Sequence, residues 1–353
     1  MSKVLMKGNE ALGAAAIKAG CKYYFGYPIT PQSELPEFMA RELPKVGGMF
    51  LQAESEVAAI NMIYGAAGAG ERVLTSSSSV GIALKQEGIS YIAGAELPCV
   101  IINISRGGPG LGGIQPSQSD YFMATRGGGN GDYRHPVYAP ATIQEAVDLT
   151  MKAFDVADYY RTPVIILGDG MIGQMMEPVE FKEPKKRDLP PKDWATRGTE
   201  GKRKPNIITS LFLDPQKLED HNWKLDKRYK EIEENETMYE MHKMEDAEIV
   251  IVAYGTTSRV VKNAIEKLRE EGIKAGLIRP ITVWPYPSKA FDEIPASAKA
   301  ILTVEMSTGQ MIDDVKIANE GRLPVYFYGR TGGMVPTPDA VIKKVKEILG
   351  GAK

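Results

Sequence analysis

Residues 24–33 read YFGYPITPQS and residues 51–70 read LQAESEVAAINMIYGAAGAG. Each stretch starts as a short run with strand character and ends in a change of structure. In the first, Pro28 and Pro31 flank the Ile29–Thr30 pair and fix the backbone of a strand-end turn that aims the Thr30 hydroxyl into a crevice. In the second, Glu54 and Glu56 stand where an apolar strand gives way to an Ala/Gly-rich helix. A carboxylate entering such a helix is costly to bury without a polar partner. A cofactor ring with a basic nitrogen would be one; the helix dipole acting on an N-terminal acid is the simpler alternative. Spacing alone does not choose between Glu54 and Glu56, and Thr30 or Ser33 could equally serve as an ordinary helix cap.

Working outward, residues 1–174 alternate strand and helix signals. Helices are expected over 8–19, 33–42, 54–68, 80–93 and 143–159, and strands over 23–25, 49–52, 72–76, 99–105 and 163–167. Short β-rich runs separated by helical patterns predict a mostly parallel sheet covered by helices on both faces. In such sheets ligands bind at the carboxyl ends of the strands. From 175 to 245 the texture turns to charge, proline and glycine and then to a charged stretch of helical spacing. This reads as a linker or solvated excursion, or as an arm that wraps a partner subunit. A second α/β domain is expected over 246–353, with strands at 247–254, 275–278, 300–304 and 324–328 and helices at 258–271 and 339–349. The fold class is therefore α/β with two domains, each a mostly parallel sheet covered by helices.

The composition excludes several functions. Hydrophobic residues make up 43% and charged residues 25%, as in ordinary globular chains, and the net charge is −2. There is no global field for nucleic acid and no basic patch with interleaved aromatics. No apolar run approaches a membrane span, and the N-terminus lacks a signal-peptide pattern, so the expected compartment is the cytoplasm. The two cysteines, Cys21 and Cys99, sit in different elements and offer neither a disulfide framework nor ligands for an iron–sulfur cluster. His135, His221 and His242 have no metal-ligand spacing, although His135 follows a glycine-rich run and could reach a site.

Further motifs lie at strand ends. In SRGGPGLGG (105–113), Arg106 ends a strand beside glycines that let the backbone approach a ligand. Arginine suits bidentate grip of a carboxylate, and a mobile loop with a surface arginine is the alternative. TSSSSVG (75–81) could present the Ser78 and Ser79 hydroxyls and helix-start N–H groups to a polar ligand, or simply cap the next helix. Gly168-Asp169-Gly170 resembles a magnesium motif, but the asparagine that should follow 25–30 residues later is missing; the next one is Asn206. No metal ligand is assigned to this chain.

These residues resemble the alpha subunit of the 2-oxoacid:ferredoxin oxidoreductases. YPITPQSE, QAESEVAAINMIYGAAGAG, QEGISYIAGAELPCV and RGGPGLG carry the likeness in the first half, and IRPITVWPYP and VEMSTGQM in the second. The subgroup they resemble most is the 2-oxoisovalerate (3-methyl-2-oxobutanoate) type.

The resemblance implies a thiamine pyrimidine-binding domain (1–174), a linker (175–245) and a transketolase C-terminal-like domain (246–353). It implies thiamine diphosphate as cofactor, bound between this chain and a beta subunit that carries the diphosphate-binding domain. In the family, the glutamate that contacts N1′ of the aminopyrimidine lies nine residues before a helix glycine, which selects Glu56 counted back from Gly65. Thr30 and Arg106 would hold the substrate carboxylate, and Tyr27, Pro28, Ile29, Ser78 and Ser79 would line the cofactor site. Mg²⁺ and 4Fe–4S clusters would reside on partner subunits, including gamma and ferredoxin-like delta chains. The implied reaction is oxidative decarboxylation of a 2-oxoacid with coenzyme A to acyl-CoA, CO₂ and reduced ferredoxin. Where relatives often carry Ser-Gly-Pro-Gly, this chain has SSSSVG, which leaves the contacts of that loop open. A pyruvate- or 2-oxoglutarate-specific member, a transketolase-like or lipoamide-linked subunit and a non-catalytic scaffold are the alternatives.

Overall fold

The computed structural model describes residues 3–182 and 187–350. In chain order the first half contains β1 (Val4–Lys7), α1 (Gly8–Lys18), β2 (Tyr23–Gly26), α2 (Glu34–Glu42), β3 (Met49–Gln52), α3 (Glu56–Gly68), β4 (Val73–Ser77), α4 (Val80–Gly94), β5 (Cys99–Ser105), α5 (Tyr121–Thr125), β6 (Val137–Tyr138), α6 (Ile143–Tyr160), β7 (Pro163–Asp169), α7 (Gly170–Gln174) and β8 (Met176–Val179). The second half contains α8 (Pro215–Glu236), β9 (Tyr239–His242), β10 (Ile249–Val252), α9 (Gly255–Glu270), β11 (Ala275–Pro280), β12 (Thr282–Trp284), β13 (Ala300–Glu305), α10 (Met311–Asn319), β14 (Val325–Gly329) and α11 (Pro338–Leu349).

A seven-stranded sheet has the order β12-β6-β7-β5-β4-β2-β3, and all its pairings are parallel except that of β12 with β6. Its central strands, CVIINIS and PVIILGD, are buried along their whole length. Continuous β-branched runs of this kind belong to strands covered on both faces. From β2 the chain steps to β3 on one side; it then crosses to β4 on the other side and continues to β5 and β7. The connections thus reverse direction between β2 and β4, and this switch point opens a crevice at the carboxyl ends of those strands.

The second sheet has the order β14-β13-β10-β11-β9, parallel except for the edge strand β9. Its residues alternate between two cores. Ile249 and Ile251 pack on one face with Val261, Leu268 and Val345, while Val250 and Val252 belong to the large core that continues into the first half. Gln118 binds the two halves together. Its Nε2 donates to the Tyr254 carbonyl (2.9 Å), and its Oε1 accepts from Thr257 Oγ1 (2.8 Å) and the Met306 N–H (2.9 Å). Arg279 adds a bidentate grip on Glu145 at 2.9 and 2.8 Å.

The 175–245 stretch differs from a plain linker. β8 pairs antiparallel with β1, and β9 joins the second sheet at its edge. α8 is capped by Asp214, whose side chain accepts from the Gln216 N–H, with Pro215 in its first turn. It docks through buried Leu225, Tyr229 and Ile232. Lys224 and Arg228 reach Glu96, with Lys224 at 2.6 Å, and Glu236 takes Arg187 at 2.7 Å and Lys152 at 3.0 Å. The charge density that reads as a solvated face is therefore partly spent on ion pairs to the body. Residues 183–186 of this stretch lie outside the described residues. β12 crosses the other way, from the sequence of the second half into the first sheet. The sheet pairings accordingly do not break at 174/175 or at 245/246.

Candidate active site

The candidate residues gather at the carboxyl ends of adjacent strands β5, β4, β2 and β3. Tyr27–Pro31 follow β2, Glu56 follows β3, Ser78 and Ser79 follow β4, and Arg106 follows β5. Tyr27, Pro28 and Thr30 are exposed and Ile29 is half-buried, so the turn forms a rim. The Thr30–Pro31 and Gly108–Pro109 bonds are both cis.

Burial separates the two glutamates that spacing leaves open. Glu54 is exposed, whereas Glu56 is 7% exposed at the start of α3, where Ser55 Oγ accepts the Ala58 N–H at 3.1 Å and caps the helix. Glu56 faces the first turn of α4. A Cβ placed on Gly81 would lie 2.7 Å from Glu56 Oε1 and 2.1 Å from Ser77 Oγ. Glycine at 81 is thus the condition for the carboxylate to occupy this position. Buried Ser77 and Ser78 hydroxyls have no partner among the described residues.

Arg106 is buried and spans the crevice. Its Nη1 donates to the Thr30 carbonyl at 2.9 Å and its Nη2 to the Leu111 carbonyl at 3.2 Å, while Nε has no partner among the described residues. The arginine therefore ties the YPITP turn to the Gly-rich loop and keeps one donor in reserve.

Ser79 departs from the expectation of a hydroxyl offered to the cofactor. Its φ of +33° lies in a region that non-glycine residues rarely adopt. Its Oγ donates to Asp120 Oδ2 (2.7 Å) or to the Arg106 carbonyl (3.2 Å) and accepts the Arg106 N–H (2.9 Å). Asn103 binds Asp120 Oδ2 (2.9 Å) and the Ser79 N–H (3.1 Å). Burial pushes the Asp120 carboxyl up, against the pull of Ser79, Asn103, Ser105 and Arg106. The SSSSVG loop is thus fastened to β5 from within, and Ser79 and Asp120 line a hollow of about 360 Å³ shared with Met306, Ser307 and Gln310 of the second half.

The remaining motifs lie apart from this cluster. Asp169 ends β7 and caps α7, with Oδ1 accepting the Met171 and Ile172 N–H groups at 2.8 and 3.2 Å; Thr256 of the second half donates to its Oδ2. His135 is buried and stacks on Tyr133 at 5.7 Å, and burial lowers its pKa to about 4. His221 contacts the Gly94 carbonyl and His242 contacts Glu266. Among the described residues no group of His, Cys, Asp and Glu could hold a metal ion, and no helix is long and apolar enough to cross a membrane. The sequence reading misses Gly81, Asp120 and a fully buried lysine, Lys85. The lone cation in VGIALKQEGISYIAG was the available signal for the last.

Comparison with known proteins assigns this arrangement to a class. Residues 14–246 match the family model "Pyruvate flavodoxin/ferredoxin oxidoreductase, thiamine diP-bdg", and residues 247–341 match "Pyruvate:ferredoxin oxidoreductase core domain II". The chain belongs to this family of thiamine-diphosphate-binding 2-oxoacid:ferredoxin oxidoreductases. It is 50% identical to ketoisovalerate oxidoreductase subunit VorB of Methanothermobacter marburgensis, over 99% of both chains. To 2-oxoglutarate synthase subunit KorA of the same organism it is 35% identical, over 96% of this chain and 97% of that one.

Among solved structures, 2-oxoglutarate:ferredoxin oxidoreductase from Magnetococcus marinus, with 2-oxoglutarate, coenzyme A and succinyl-CoA bound, superposes with a TM-score of 0.87 at 27% identity. The match covers 98% of this chain and 65% of that one, so this chain spans about two thirds of the solved chain's length. A split-gene transketolase at 16% identity and a TM-score of 0.63 shares the fold.

Proposed function

We propose that this chain is the alpha-type subunit of a complex that oxidatively decarboxylates a branched-chain 2-oxoacid of the 2-oxoisovalerate kind. Coenzyme A would accept the acyl group, ferredoxin would accept the electrons, and the complex would work in the cytoplasm. The full-length likeness to VorB supports the substrate class, since VorB is 50% identical and KorA 35% identical over nearly the same coverage. The observation that carries the assignment of the site is the buried Glu56 carboxylate, seated against Gly81 beside the β2/β4 crevice.

The residues present suit thiamine diphosphate. A buried carboxylate, orphaned Ser77 and Ser78 hydroxyls and an unpartnered Arg106 Nε stand at the carboxyl ends of neighbouring strands. When bound, the cofactor supplies the nucleophilic carbon and the electron sink that decarboxylation of a 2-oxoacid requires. Glu56 would hold the aminopyrimidine ring through its buried carboxylate at the start of α3. Tyr27, Pro28 and Ile29 would line the rim of the cofactor site. Arg106 Nε and the Thr30 hydroxyl hold the substrate carboxylate, with Arg106 already oriented by the Thr30 and Leu111 carbonyls. The diphosphate grip, Mg²⁺ and the 4Fe–4S clusters fall to beta, gamma and ferredoxin-like delta subunits, in keeping with a chain whose two cysteines are both buried and free.

The experiment is reconstitution with the partner subunits and assay against a panel of 2-oxoacids. The expected result is coenzyme A-dependent reduction of ferredoxin or viologen, fastest with 2-oxoisovalerate. Faster turnover with 2-oxoglutarate or pyruvate would overturn the substrate class. Turnover only with a lipoamide acceptor would overturn the reaction class.

A further inference from the structure

Lys85 is fully buried in the middle of α4, where an apolar residue of its size would avoid the cost of desolvating a charge. Its Nζ donates to Thr75 Oγ1 at 2.6 Å and to the Ser76 carbonyl at 3.2 Å, both on β4. No carboxylate among the described residues lies within ion-pair distance of it. Two observations connect it to the crevice. Lys85 follows Gly81 by four residues, so both lie on one face of α4, and helical side chains lean toward the N-terminus. The Lys85 stem therefore runs back toward the glycine whose missing Cβ makes room for Glu56 Oε1. In addition, Ser76 Oγ contacts Tyr24 OH at 2.7 Å and Gln32 Oε1 at 2.5 Å, so the strand that seats Lys85 also anchors the YPITPQ turn.

We infer that Lys85 is a positioning residue for Glu56: a cation built into the core behind the carboxylate, whose charge acts on it across the α3–α4 contact. The inference rests on the reading of Glu56 as the group that exchanges a proton at the crevice. The groups whose charges act on Lys85 are Glu56 from α3 and Cys99 from β5; its β4 neighbours Thr75 and Ser76 are not titratable in the working range. Burial drives the Cys99 thiol well up, so it stays neutral, which leaves Glu56 as the acidic group that acts on Lys85. Burial lowers Lys85 to about 7, with the Glu56 charge pulling it back up.

The test has a spectroscopic arm and a kinetic arm. In the full chain labelled with ¹³Cε-lysine, the Lys85 resonance is identified by its loss in Lys85→Met, or in Lys85→Gln if the methionine variant does not fold. Glu56→Gln should move the Lys85 titration down by about one pH unit, tenfold in proton affinity. In the assembled enzyme, Lys85→Met should move the acid limb of the kcat/KM profile up by a similar amount. A Lys85 titration unmoved by Glu56→Gln would overturn the coupling, and an unmoved acid limb would overturn its role in turnover. If Glu56→Gln turns over normally, the reading of Glu56 fails, while the spectroscopic arm still decides whether the two side chains are electrostatically coupled.

Discussion

At the residue scale, two side chains separate the roles proposed here. Arg106 holds the Thr30 and Leu111 carbonyls with its Nη atoms and keeps Nε unpartnered. Arg106→Lys cannot reproduce that fork. Steady-state kinetics of the assembled complex should show KM for the 2-oxoacid raised about 10- to 100-fold for Arg106→Lys, and more for Arg106→Ala. An unchanged KM would remove Arg106 from substrate binding. Glu54 gives the complementary case: it is exposed, so Glu54→Gln should leave kcat/KM within about twofold. The sequence brought both glutamates to the same helix start and could not divide them. The division comes from the third dimension, where α4 packs over one and solvent over the other.

At the scale of elements, the α3–α4 pair determines whether the site exists. Gly81 admits the Glu56 carboxylate, and a methyl group there would meet Glu56 Oε1 at 2.7 Å and Ser77 Oγ at 2.1 Å. Gly81→Ala should therefore cost about 1–3 kcal/mol in urea unfolding and lower kcat/KM further than that loss explains. Activity retained in the folded variant would show that Glu56 need not occupy this position. The elements themselves were largely legible. Largely apolar runs such as CVIINIS and PVIILGD read as strands, and the expected bounds of β3 and β5 coincide with those observed. Short or hybrid pieces were not legible. β6 and β12 hold so few residues that no period is visible, and β8 and β9 lie in sequence dominated by charge. Lys85 and Asp120 escaped because their meaning depends on partners distant in the chain.

At the scale of the whole molecule, α8 spans the body through Glu96. Burial pushes the Glu96 carboxyl up, but Lys224 and Arg228 outweigh it and bring it from 4.5 down to about 2. The stability it contributes is complete above about pH 4.5 and is lost as pH falls toward 2. Glu96→Gln should lower stability at pH 7 by about 1–3 kcal/mol, and the gap to the natural chain should narrow steadily below pH 4.5 in urea-unfolding curves. A gap independent of pH would mean that packing of Leu225, Tyr229 and Ile232 alone docks the helix. The same construction, two sheets sharing one core with β12 carried from the second half into the first sheet, keeps the crevice fixed. The decisive measurement is kcat of the reconstituted complex carrying Glu56→Gln, at saturating thiamine diphosphate and with assembly verified. The account predicts a fall of at least about 100-fold with the complex intact; turnover near that of the natural enzyme would contradict it.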